Sequence, residues 1–99
     1  MQATQQHQST QQSQTLSQTP ALRDLTQKFT AKGWTITKDK PNKVEFQSPT
    51  SVYDAFEIEI DRTNISVTIP LKTSRYKYFT KFTDYFSACE FVEMHLDEY

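Results

Sequence analysis

The stretch FEIEIDRTNISVTI, residues 56–69, decides how this chain is read. Phe56, Ile58 and Ile60 alternate with Glu57, Glu59 and Asp61, and beyond Asp61-Arg62-Thr63-Asn64 the residues Ile65, Val67 and Ile69 alternate with Ser66 and Thr68. A period of two sends apolar side chains to one face of a strand and polar ones to the other. Closing the turn with Ile60 opposite Ile65 sets Ile58 against Val67 and Phe56 against Ile69 on a single face, so turn and pattern agree on register. The stretch is a β-hairpin with one apolar and one solvated face.

A second hairpin lies upstream, where Trp34 and Ile36 alternate with Thr35 and Thr37, residues 39–42 read as a turn, and Val44 and Phe46 alternate with Lys43, Glu45 and Gln47. With Phe46 placed opposite Ile58, Glu45 lies across from Glu59 and Lys43 across from Asp61. Ahead of this hairpin, Thr19-Pro20 opens a helix on which Leu22, Leu25 and Phe29 recur at helical spacing, and Gly33, the only glycine, supplies a left-handed stop. Downstream, Pro70 ends the fourth strand, and 73–80 reads equally as a loop or a short fifth strand. A second helix then starts at Thr83-Asp84, with Phe82, Tyr85, Phe86, Cys89, Val92, Leu96 and Tyr99 as its apolar stripe and Phe91 and Met94 outside it.

The expected fold is α+β: an N-terminal helix, a four-stranded antiparallel meander and a C-terminal helix, with both helices on one face of the sheet in two layers. Residues 1–18 are rich in Gln, Thr and Ser and bury too little apolar surface to offset the entropy of ordering, so they are expected to be a disordered tail. That leaves 19–99 as a single domain. The tail also explains a mean hydropathy of −0.73 that is otherwise low for a packed chain.

One cysteine among 99 residues excludes an intrachain disulfide framework, and two histidines give no recognised metal-ligand spacing. A single glycine leaves no phosphate-cradling loop. No apolar run approaches the roughly 20 residues that cross a bilayer. The expectation is a cytoplasmic protein with no cofactor, no metal and no membrane association. Cys89 and His95, six positions apart on one helix, point about 120° away from each other and cannot form a dyad there. Glu57, Glu59 and Asp61 share a solvated strand face, where nothing desolvates them into acid–base catalysts. An enzyme is not expected.

The charge distribution says more than the net value of −1. Residues 62–81 carry five Lys or Arg and no acid, whereas 82–99 carry five Asp or Glu and neither Lys nor Arg. Pairing between the basic segment and the acidic helix is the simplest way to use both. The favoured functional reading is a small binding or regulatory module that acts through a protein partner or as a homodimer. Its candidate contacts are Tyr53, Phe91 and Met94, which the core does not obviously need, with the acidic stripe Glu90, Glu93 and Asp97. The alternative is single-stranded nucleic-acid binding through Lys72, Arg75, Tyr76, Lys77, Tyr78 and Lys81, in which cations contact phosphates and rings stack on bases.

Overall fold

The computed structural model describes residues 14–71 and 76–99. Its centre is the hairpin read first from the sequence: β3 (Ala55–Asp61) and β4 (Asn64–Pro70) pair antiparallel, with Ile60 opposite Ile65 and Ile58 opposite Val67. Arg62 makes the turn with a positive φ of 59°. β1 (Thr35–Lys40) and β2 (Lys43–Gln47) form the second hairpin. The fifth strand exists: β5 (Lys77–Phe82) pairs with β4 and extends the sheet to the order β1-β2-β3-β4-β5. The sheet thus has five strands where the sequence reading counted four.

Both helices pack on the apolar face. α1 (Pro20–Ala31) buries Leu22, Leu25 and Phe29, and α2 (Tyr85–Leu96) buries Ala88, Val92 and Leu96. Pro20 occupies the first turn of α1, and Gly33 leaves it at φ 88°. The Thr19 hydroxyl does not cap that helix; it donates to the Leu16 carbonyl at 2.7 Å. Asp84 does cap α2, accepting from the Ser87 amide at 2.7 Å. Phe29 anchors the two layers, stacked on Phe46 at 4.0 Å between ring centroids and set edge-on to Trp34 and Phe56.

Three expectations are corrected. The packed region begins before residue 19, because Leu16–Gln18 form a 3-10 turn whose Leu16 is fully buried in the core. Ser17 bonds to Asp39 through both its amide, at 3.2 Å, and its hydroxyl, at 2.5 Å. A bulge between Ile36 and Lys38 makes this possible by shifting the phase of β1, so that Asp39 pairs with Val44 on the helix side. Residues 1–13 of the expected tail lie outside the described residues.

The β2–β3 register is also offset by two, with Phe46 opposite Phe56, Lys43 opposite Glu59 and Glu45 opposite Glu57. Lys43 pairs diagonally with Glu57 at 3.2 Å instead of meeting Asp61. The segment 48–54 sets this register by closing on itself, the Ser48 amide donating to the Asp54 carbonyl at 2.9 Å. A two-residue offset keeps every side chain on its face, which is why the alternation did not reveal it.

Finally, Phe82 ends β5 instead of belonging to α2, and Phe86 is 77% exposed, not part of the buried stripe. Phe91, placed outside that stripe from the sequence, is half-buried against the core. Apolar residues cover most of the circumference of α2, so periodicity alone leaves its inward face ambiguous.

Candidate functional site

β5 is an edge strand, and its backbone determines what it offers. The Leu71 amide donates to the Tyr76 carbonyl at 3.2 Å, which makes that opposed pair hydrogen-bonded. Such pairs alternate along an antiparallel ladder. Tyr78, Thr80 and Phe82 therefore turn their N–H and C=O groups toward β4, whereas Lys77, Phe79 and Lys81 turn theirs outward. No strand lies beyond β5 among the described residues.

Side chains sort in the same way. Tyr78, Thr80 and Phe82 lie opposite Ile69, Val67 and Ile65, on the helix side. There Tyr78 and Phe82 meet Phe91 of α2, at centroid distances of 6.1 and 5.4 Å, and His95 packs on Phe91 at 4.4 Å. The His95 Nδ1–H donates to the Phe91 carbonyl at 3.0 Å, which holds the ring against it. Tyr78 remains 48% exposed. It forms the rim of an aromatic shelf under the free edge.

Lys77, Phe79 and Lys81 lie on the opposite, open face, where β4 sets Pro70, Thr68 and Ser66 beside them. All three are exposed, Phe79 at 56%. Lys77 and Lys81 cannot reach the acidic helix, because α2 packs on the other side of the sheet. The expected pairing between the basic segment and α2 is therefore corrected for these two lysines. The carboxylate that α2 does use is Glu93, bound to Lys28 of α1 at 2.9 Å; this raises the Lys28 ammonium above its ordinary pKa.

The structure brings together residues that the sequence assigned to different readings. Tyr78, from the basic segment, and Phe91, from the acidic helix, share one shelf. Glu90 and Met94 are exposed on α2, Asp97 is exposed just past its last turn, and Tyr53, 66% exposed, lies in the 48–54 segment that joins β2 to β3. Tyr76 is exposed beside the start of β5, while Lys72 and Arg75 lie outside the described residues. Phe79 is the residue the sequence reading left out of its candidates. The signal for it was present, since alternation places it between Lys77 and Lys81 once 77–82 is recognised as a strand.

Other chemistry is sparse among the described residues. Cys89 and His95 diverge to opposite flanks of α2, the Cys89 thiol donating to the Ala21 carbonyl at 3.6 Å. Burial pushes that thiol up to about 11, with the nearby Glu93 adding to the shift. A cavity of 240 Å³ is lined by Lys32, Trp34, Ser48, Pro49, Thr50 and Tyr99. It is smaller than the roughly 300–1,000 Å³ of ligand pockets and holds none of the candidate residues. No described helix is long and apolar enough to cross a membrane, and no described group of three or more His, Cys, Asp or Glu is placed to hold a metal ion. The chain matches no protein-family model, and no curated protein or solved structure matches it.

Proposed function

We propose that this protein is a non-catalytic binding module whose partner is a protein, engaged at the β5 edge. The observation that carries the reading is the coincidence of outward backbone groups at Lys77, Phe79 and Lys81 with the aromatic shelf of Tyr78 and Phe91. Strand addition uses such a combination: main-chain bonds supply affinity, and pockets for alternate side chains supply specificity. The opposite edge is less suited, since β1 is bulged between Ile36 and Lys38 and ties Asp39 to Ser17.

A second reading has one observation in its favour. Lys77, Phe79 and Lys81 share the open face, so a cation–ring–cation row is available for phosphate contacts and base stacking. Against it, Glu57 and Glu45 continue the row of Phe79 across the same face.

Phe79→Pro tests the proposal. It removes an outward N–H and places a ring against any added strand, while the ladder to β4 is kept. Affinity capture with the wild-type and Phe79→Pro chains, analysing protein and nucleic-acid fractions separately, is expected to lose specific protein bands in the variant at an unchanged circular-dichroism spectrum. Identical capture by both chains overturns the β5 assignment.

A further inference from the structure

We infer that the segment received by β5 is an acidic extended strand, with carboxylates spaced to meet Lys77 and Lys81 and apolar side chains on the shelf. This rests on the protein-binding reading and names the chemistry of the partner.

The argument starts from the ladder. On the open face the immediate neighbours of Lys77 and Lys81 are Pro70 and Ser66, both neutral, and neither lysine forms an ion pair among the described residues. The nearest carboxylate in the Lys81 row is Glu59, opposite Ser66 and two strands inward. That is about 10 Å away at the usual strand spacing. An added strand lies about 5 Å away on the other side, so it alone can place charges directly across from both lysines.

A second copy of this chain is a poor occupant. Two antiparallel self-pairings keep the faces matched and overlap five residues of β5: one is centred on Thr80, sets Lys81 opposite Phe79 and offers neither lysine a carboxylate, and the other is centred on Phe79. The latter sets Lys77 opposite Lys81 twice, and opposed like charges destabilise a strand pair. The lysines that repel a copy admit an acidic segment. On the helix side, the same segment presents its intervening residues to Tyr78 and Phe91, where apolar side chains fit. The pattern is acid, apolar, neutral, apolar, acid, with the neutral residue over Phe79.

The probe is a fluorescein-labelled peptide with the core Glu-Val-Thr-Val-Glu, titrated by fluorescence anisotropy against the full chain. Binding is expected, with an affinity loss of at least about tenfold in the Lys77→Glu, Lys81→Glu double variant and recovery by a Lys-Val-Thr-Val-Lys peptide. N-methylation of the two glutamates and the threonine should abolish binding, and N-methylation of the valines should not. Lys77→Gln with Lys81→Gln, folded by the same circular-dichroism criterion, serves if the double reversal unfolds.

A lysine peptide that binds wild type as tightly, and is still blocked by N-methylation, overturns the acidic assignment while leaving strand addition standing. Binding by neither peptide at millimolar concentration also overturns it, and the Phe79→Pro capture then decides the parent reading separately. Tighter binding of a labelled oligothymidylate, lost on lysine reversal, overturns both in favour of nucleic acid.

Discussion

Arg62 carries a cost that the alternation of its neighbours hides. Its φ of 59° is left-handed, which for a side chain with a Cβ is unfavourable by about 1–2 kcal/mol. Glycine removes that strain but adds about 0.5–1 kcal/mol of unfolded-state entropy. Arg62→Gly is therefore expected to stabilise the fold by up to about 1.5 kcal/mol, measured by urea denaturation; a loss of stability would show that the arginine side chain compensates. Cys89 gives a pH prediction. Its thiol is raised to about 11 in the fold, so the folded state holds a proton that the unfolded chain gives up near its ordinary value of about 8.5. The stability from the half-buried thiol is fully present below that unfolded value and is lost as pH rises toward 11. Cys89→Ser should flatten this alkaline decline, and native Cys89 should label far more slowly than the denatured chain at pH 8. Rapid native labelling would contradict the raised thiol.

Among the elements, the 3-10 turn Leu16–Gln18 is the one composition concealed. A lone leucine in a Gln- and Thr-rich stretch gives no periodicity, and only the bulge in β1 brings Asp39 round to receive Ser17. Removing a buried leucine costs about 2–5 kcal/mol in general, and in a domain of this size each kcal/mol lowers Tm by about 4–8 °C. A chain beginning at Thr19 should therefore melt at least about 8 °C below one beginning at Gln14. Equal melting would mean that the turn contributes nothing. The Lys28–Glu93 pair joining the helices should matter much less. Both side chains are partly exposed, and a double-mutant cycle should return no more than about 1 kcal/mol of coupling.

Across the whole molecule one core runs from Leu16 through both helices and the sheet, with Trp34, the only tryptophan, inside it. Trp34 meets Phe29, Phe56 and Tyr99 edge-on at 5.2 to 5.6 Å. Unfolding followed by Trp34 fluorescence and by far-UV circular dichroism should coincide, as expected for a cooperative transition. Separate midpoints would divide the core. The β3–β4 hairpin, both helix starts and the two-layer arrangement were legible in the sequence, because they follow from local rules: a period of two, a period of 3.6, and residues such as Gly33 and Asp84 whose conformational or capping preference acts on its immediate neighbours. Tertiary structure alone decided the rest. The β2–β3 register depends on closure of the 48–54 segment, the inward face of α2 depends on what packs beneath it, and the existence of β5 depends on β4 offering an edge. That edge also created the candidate site, since Tyr78 and Phe91 meet only when the strand and the helix are docked on the same face, and no periodicity in either segment records a partner that lies in the other.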